Sequence, residues 1–322
     1  MDIRDGISVI VCCYNSAWVI ARCLEALRRQ KMPEGVRWEV LLVDNNCTDN
    51  TVAIAQKVMD GSGVDFQVVS ESEPGLMYAR QRGMFAIKYS YIVFCDDDNL
   101  LCENYVAKMY EILSHNPKTG AVGGKGVAEF ECAPDPRILP KIEGYAVGSQ
   151  LGHKNWLFGA GMAVRTDLVQ DVYANQRRYL VGRKGTALSA GDDTELSYSI
   201  LLRGYGIQPT DDVFYTHVLK SNRLSWDYCQ KMYAGFELTH GALDMMRRVL
   251  EGRTFRAFLC EYFALCRSFA IQTILFMRPS SRLARKSIAK QLHRFNYWGL
   301  FKLWEIFNEW TRLKIKYSYK VA

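Results

Sequence analysis

The sequence predicts an α/β fold, and three observations carry that expectation. Short apolar, β-branched runs recur along the first third of the chain, at residues 7–13 (ISVIVCC), 38–44 (WEVLLVD), 64–70 (VDFQVVS) and 91–96 (YIVFCD). Each is followed by a segment of helical character. The runs are continuously apolar instead of alternating, as expected of strands buried on both faces of a mostly parallel sheet covered by helices.

The elements follow in order. After the first run, NSAWVIARCLEALRRQ (15–30) brings Val19, Ile20, Cys23, Leu24 and Leu27 onto one helical face, and Asn15 or Ser16 is suited to cap it. TDNTVAIAQKVM (48–59) has the same build, and ENYVAKMYEIL (103–113) follows the fourth run. From about residue 120 the pattern loosens. GAVGGKGVAEF (120–130) accommodates a strand, whereas residues 131–155 hold three of the eight prolines and read as a long loop. NWLFGAGMAVR (155–165) reads as another strand, DDTELSYSILLRGYG (192–206) as a helix that stops at Gly204, and DDVFYTHVLK (211–220) as a further strand-like run. No internal repeat or low-complexity segment interrupts the chain.

Composition sets the class. With 322 residues, 49% of them hydrophobic and 23% charged, the chain builds a globular core. Acidic residues precede the first short apolar run, which reads as a strand and not as a secretory leader. Ten cysteines occur without a CxxC or a Cys/His cluster at zinc-site spacing, as in a chain of reduced, mostly buried thiols in the cytoplasm. The net charge of +7 hides an asymmetry: from Arg253 onward, fourteen Lys and Arg against three Glu give +11, leaving −4 for the rest. The expected division is a catalytic region at 1–222, with a nucleotide half at 1–100 and an acceptor half at 101–222, followed by a helical, basic, aromatic region at 223–322.

In open α/β sheets ligands bind beyond the carboxyl ends of the strands, where loops converge and helix N-termini offer N–H donors. Tyr14 and Asn15 follow the first run, Asp44 and Asn45 the second, Gly75 lies past the third, and Asp96, Asp97 and Asp98 close the fourth. Three adjacent carboxylates repel unless positive charge lies among them. Mg²⁺ or Mn²⁺, completed by phosphate oxygens, meets that need; the alternative is a solvated acidic turn that caps the next helix. Asp192 and Asp193 open a helix whose dipole favours their ionised form, ready to accept a proton; they equally suit a plain cap. His217 is either a further metal ligand or a structural residue. Gly159 and Gly161 flank Ala160 in a segment where backbone can approach a ligand or make a tight bend.

Six motifs together, VIVCCYN, LLVDNNCTDNT, EPGLMYARQRG, FCDDDN, FGAGMAVR and AGDDTELSYSILLRGYG, resemble a family 2 glycosyltransferase of the GT-A fold, with its Rossmann-like sheet, over roughly residues 5–220. The resemblance implies an inverting, metal-dependent enzyme of bacterial surface-glycan type that takes a nucleoside diphosphate sugar, a UDP-sugar above others. It places Tyr14, Asn15, Asp44, Asn45, Gly75, Arg80, Asp96 and Asp97 around the nucleotide sugar, with Asp44 receiving the base N–H. Asp96 and Asp98 match the two acids of the DxD motif, and His217 joins them as a metal ligand. Asp193 matches the general base, beside Asp192 where glutamate is usual. Gly159, Ala160 and Gly161 form the acceptor loop. The implied acceptor is a saccharide or a lipid-linked saccharide.

Other classes fit less well. A dinucleotide oxidoreductase needs GxGxxG after the first strand, and CCYNSAW has no glycine. A DxD phosphatase places its acids after the first strand, and a non-catalytic nucleotide-sugar-binding subunit remains an alternative. In the tail, residues 255–277 are long enough to span a bilayer, but Arg256, Glu261, Arg267 and Gln272 interrupt them. Amphipathic helices with Trp, Phe and Lys/Arg instead lie on anionic membranes, at the inner face of the cytoplasmic membrane here; packing against the catalytic region or a second subunit is the other reading. No nucleic-acid signature accompanies the charge.

Overall fold

The computed structural model describes residues 3–180, 190–275 and 279–318. The chain divides into two compact units, one of residues 1–201 and 205–233, the other of residues 202–204 and 234–322. The division falls beyond the 222/223 boundary drawn from sequence, inside a helix.

The first unit opens with β1 (Arg4–Cys13), α1 (Ile20–Arg28), β2 (Trp38–Asp44), α2 (Thr51–Met59), β3 (Asp65–Ser70), α3 (Leu76–Met84) and β4 (Tyr89–Asp96). It continues with β5 (Asn99–Leu101), α4 (Tyr105–His115), β6 (Thr119–Phe130), β7 (Ala163–Arg165), α5 (Thr166–Asn175), α6 (Asp192–Leu202) and β8 (Gly206–Leu219). The strands form one eight-stranded sheet in the order β3-β2-β1-β4-β7-β6-β8-β5. The four strands foreseen from their apolar runs make its parallel half, as continuous burial requires. β7 runs antiparallel between β4 and β6, and β5 lies antiparallel on β8. Two hydrophobic layers cover the faces: Ile20, Leu24 and Leu27 of α1 with Met109 and Leu113 of α4 on one side, Met84, Val169 and Ile200 on the other.

Register fixes where the site falls. Cys13 pairs with Asp44, and Cys12 with Asp96, so the carboxyl ends of β1, β2 and β4 finish along one edge.

Three local expectations are corrected. The strand foreseen over 155–165 is only Ala163–Arg165, because the N–H groups before it donate to side chains. Leu157 N–H reaches Ser197 Oγ at 3.2 Å, Phe158 N–H reaches Gln150 Oε1 at 2.6 Å and Gly159 N–H reaches Asp193 Oδ2 at 3.1 Å. Asn15 and Ser16 do not cap α1 with their side chains, which bond across to other loops. The proline-rich stretch contains a 3₁₀ helix, Leu139–Tyr145.

α7 (Trp226–Leu250) crosses the division. In the second unit, α8 (Phe255–Ile274) and α9 (Pro279–Ser318) pack as a pair around Phe258, Leu303, Ile306 and Trp310, and non-helical geometry at Gly299 breaks α9 in two. Arg248 bridges Asp244 at 2.6 Å and Glu261 at 2.5 Å, tying α7 to α8. Among the described residues no helix is long and apolar enough to cross a membrane.

Tyr105 of α4 donates its hydroxyl to Gly161 O at 2.8 Å and accepts from Gly124 N–H at 3.2 Å, both in the interior. Tyr105→Phe leaves both groups unsatisfied and should lower stability by about 1–3 kcal/mol, read as a reduced urea midpoint with unchanged slope.

Candidate active site

The site grows from the strand ends. Beyond β2, Asn46 takes a left-handed conformation (φ 65°), which turns the chain so that Cys47 N–H donates to Asp44 Oδ1 at 2.9 Å. Beyond β1, Asn15 is also left-handed (φ 52°), and its Oδ1 accepts from Thr48 N–H at 2.8 Å. Asn15 thereby pins the first two loops together, and the Asn46 amide donates to Ser72 O at 2.9 Å, tying the second to the third. Asn45 is buried and knits in the third: its amide donates to Glu71 O and Glu73 O at 3.0 and 2.8 Å and accepts from Gly75 N–H at 2.8 Å. Tyr14 stands out into solvent, 63% exposed.

The acid triplet does not share one counter-charge; each carboxylate faces a different partner. Asp97 Oδ2 accepts from Tyr14 N–H at 3.4 Å and from the Ser16 hydroxyl. Asp98 is buried, with Arg223 Nη1 at 3.0 Å and His217 Nε2 at 3.5 Å. Asp96 accepts from Arg80 Nη2 at 3.3 Å. The solvated-turn alternative therefore fails for Asp98, and the next helix has no side-chain cap from this segment. Burial and then the adjacent Asp98 charge push the Asp97 carboxyl up to about 7.

Arg80 joins this edge to the second acidic cluster. It is buried beneath Phe94, and its other terminal nitrogen reaches Asp192 Oδ2 at 3.3 Å. Burial opposes its charge, yet Asp96 and Asp192 together hold its pKa above the ordinary arginine value. Asp193 lies beside this bridge, accepting from Gly159 N–H at 3.1 Å and Thr194 N–H at 2.7 Å. Burial, followed by the Asp192 charge, raises its carboxyl to about 6. A Cβ at Gly159 would sit 3.2 Å from Asp193 Cβ and 3.3 Å from Arg80 Nη1, and one at Gly161 (φ 69°) would sit 2.4 Å from Tyr105 Oη. Protein atoms thus crowd the side of each glycine where a Cβ would stand. Ala160 between them is buried.

The structure thus brings Arg80, Asp96, Asp192, Asp193 and Gly159 into one set of contacts, and Asp98 with His217 into another beside it. Asp44, Asn45, Asn15 and Gly75 belong to the pinned loops. Among the described residues, Asp96, Asp98 and His217 do not close into a single three-donor set. Asp98 and His217 nevertheless fit a cation. The Tyr145 carbonyl, 2.7 Å away, can only accept, so His217 Nδ1 carries the hydrogen and Nε2 faces the Asp98 carboxylate. In its neutral form the ring turns the Nε2 lone pair toward the carboxylate oxygen that Arg223 Nη1 also meets at 3.0 Å, and a cation there would share that oxygen with the guanidinium. Two donors of this kind leave the rest of a shell to phosphate and water.

Sequence reasoning missed Arg223, Ser16, Arg178 and Glu195. Arg223 lies 125 residues from the acid it pairs with, and nothing in KSNRLSW signals the contact. Arg178 donates to Asp192 O at 2.8 Å and lies 3.3 Å from buried Glu195, which accepts from Tyr179 and Leu180 N–H at 2.9 and 3.0 Å. The DxxE spacing of Asp192 to Glu195 was the available signal.

A family model described as glycosyl transferase family 2 matches residues 8–171. The chain is 26% identical over 212 residues to the poly-beta-1,6-N-acetyl-D-glucosamine synthase of Staphylococcus aureus, covering 65% of this chain and 48% of that protein. It is 28% identical over 149 residues to the synthase of Staphylococcus epidermidis, covering 46% and 34%. The chain therefore spans half or less of the length of these relatives. Solved structures share the fold: S. aureus TarS in complex with UDP-GlcNAc, with a TM-score of 0.54 at 16% identity, covers 76% of this chain and 66% of that one. A mannosyltransferase from Pyrobaculum calidifontis in complex with GDP-Man and Mn²⁺, with a TM-score of 0.52 at 17% identity, covers 94% and 90%.

Asp97 supplies a pH test. Its carboxyl binds its proton up to about pH 7 when folded and only to about 3.8 otherwise. Between those values the native state holds the extra proton, so stability falls as pH rises and levels off above 7. Asp97→Asn removes this slope: urea unfolding at pH 5 and pH 8 should show the variant gaining on the wild type by more than about 1 kcal/mol, the worth of roughly one pKa unit.

Proposed function

The chain belongs to glycosyl transferase family 2, and from that premise we propose that it transfers a sugar from a nucleoside diphosphate sugar, a UDP-sugar, to an acceptor hydroxyl with inversion at the anomeric carbon. The observation that carries this reading is the Arg80 bridge, which holds Asp96 at the donor edge and Asp192 at the start of α6 on one guanidinium. The bridge sets Asp193 next to the strand ends where nucleotides bind in open α/β sheets.

In this reading the pinned loops seat the nucleoside. Tyr14 offers an exposed ring for the base, and Asp44, oriented through Oδ1 by Cys47 N–H, accepts a base N–H with its other oxygen. Asp193 takes the acceptor proton while the hydroxyl oxygen attacks opposite the leaving diphosphate. Its two backbone N–H donors aim the carboxylate and keep it from rotating away. Asp98 and His217, with Asp96 near them, would hold Mn²⁺ or Mg²⁺. Such an ion, when bound, neutralises charge on the departing diphosphate. The segment Gly159–Gly161 carries the acceptor side.

A saccharide acceptor of bacterial surface-polysaccharide type is supported by the name of the staphylococcal relatives. Peripheral membrane contact through 253–322 at the cytoplasmic face, which a lipid-linked acceptor would favour, is supported by the +11 charge and by exposed Phe263, Leu283, Phe301 and Trp304.

The test is incubation with Mn²⁺ and a panel of nucleotide sugars, following nucleotide release and the anomeric configuration of the product. Inversion of the donor configuration is expected. A melting shift without turnover would mean a binding subunit, and hydrolysis of simple phosphate monoesters would mean a phosphatase. Asp193→Asn should keep UDP-sugar affinity and lose about 10²–10⁴-fold in turnover, the usual contribution of a general base. Transfer near the wild-type rate would contradict the assignment. Because Asp193 must be ionised to act and titrates near 6, kcat should fall as pH drops below about 6 and plateau above it. Chelation by EDTA should stop turnover, with Mn²⁺ restoring it in the wild type and not in Asp98→Ala.

A further inference from the structure

The pinned loops also assemble a second donor set of different chemistry. Cys13 ends β1 and Asp44 ends β2 directly opposite it in register. The left-handed turn at Asn46 then carries Cys47 back over both. The two sulfur atoms lie 3.8 Å apart, and the two sulfurs and one Asp44 oxygen all fall within 4.8 Å of one another. Asn15 N–H donates to Cys47 Sγ at 3.3 Å, while burial holds both thiols above the ordinary value, so the ion has to displace their protons. Asp44 and Cys47 are half-buried and Cys13 is buried, so the set opens to solvent on one side.

We propose that Cys13, Asp44 and Cys47 bind a thiophilic divalent cation, Zn²⁺ or Cd²⁺, and that its occupancy excludes the donor nucleotide. Two sulfurs and one carboxylate oxygen suit these ions and do not suit Mg²⁺ or Mn²⁺, which prefer oxygen donors. Three protein ligands leave a fourth position to water. Binding forms two metal–sulfur bonds and releases each thiol proton to solvent, so affinity rises with pH. The donors are already gathered: Asn15 Oδ1 fixes Thr48, and Ser16 N–H donates to Thr51 Oγ1 at 2.8 Å, so little loop ordering remains. This site is separate from Asp98 and His217 in both residues and ligand preference. That metal binding excludes the nucleotide rests on the proposed role of Asp44 toward the base, because with Oδ1 held by Cys47 N–H the metal and the base N–H compete for the other oxygen; metal binding itself does not rest on it.

The experiment titrates the full chain, kept reduced in Mg²⁺ buffer, with Cd²⁺ and follows the thiolate-to-metal charge-transfer absorption. One equivalent of absorption should be present in the wild type and in Cys132→Ser, which removes an exposed thiol elsewhere, and absent in Cys47→Ser and in Cys13→Ser, with folding checked by melting curves. The same absorption in wild type and Cys47→Ser would overturn the site. UDP affinity is then measured with Cd²⁺ held at about ten times its own Kd, where direct competition weakens UDP about tenfold in the wild type and leaves Cys47→Ser unchanged. Cys47-dependent absorption with unaltered UDP affinity would keep the metal site and overturn the exclusion, and with it the assignment of Asp44 to the base.

Discussion

A single buried guanidinium organises the first unit. Arg80 comes from α3, Asp96 from the end of β4 and Asp192 from the start of α6, 112 residues along the chain from Arg80. Stripping an arginine of water is costly and is recovered only when its donors meet acceptors in good geometry. Both carboxylates depend on it in turn, since the carboxyl ends of the strands and the acidic start of α6 would otherwise face one another with like charge. A side chain at Gly159 would press on Arg80 and Asp193, which would have to give by a few tenths of an ångström. The bridge therefore fixes where α6 begins, and with it where Asp193 stands.

Crowded acids elsewhere at this edge follow the same rule of divided counter-charge. Asp98 turns inward to Arg223 and His217, Asp97 turns to the loop after β1, and Asp96 turns to Arg80. Adjacent residues on a turn point in different directions, so three carboxylates in sequence become three separate electrostatic problems in space. Asp97 is the least compensated of them, and its raised carboxyl records that. The arrangement holds negative charge ready at an edge lined with backbone N–H donors, a combination suited to a ligand that carries both phosphate and a cation.

Loops at this edge are held by side-chain hydrogen bonds in place of strand pairing. N–H groups of Leu157, Phe158 and Gly159 spend their hydrogen bonds on Ser197, Gln150 and Asp193, which shortens β7 and ties its approach to α6. Asn15, Asn45 and Asn46 do the equivalent work between the first three loops, two of them in left-handed conformations that asparagine tolerates better than most residues. The helical second unit is held differently, by an aromatic core and by ion pairs such as Arg248 with Asp244 and Glu261.

The parallel half of the sheet was legible because burial on both faces writes itself as unbroken runs such as WEVLLVD, and the helix stop at Gly204 because that residue adopts positive φ (83°). The acidic clusters were legible too, since charge at a strand end or a helix start is visible as composition. What sequence could not decide was which cation meets which acid: beside the divalent ion expected at Asp96 to Asp98, the fold also sends Arg80 and Arg223 there. It also could not foresee that Asn15 and Ser16 would bond across loops, or that the residues before β7 would leave the ladder. Local propensity acts between neighbours along the chain, and these contacts join residues tens to more than a hundred positions apart. Only the tertiary structure, by setting strand register and bringing α6 against the sheet edge, selects among partners that the sequence leaves equivalent.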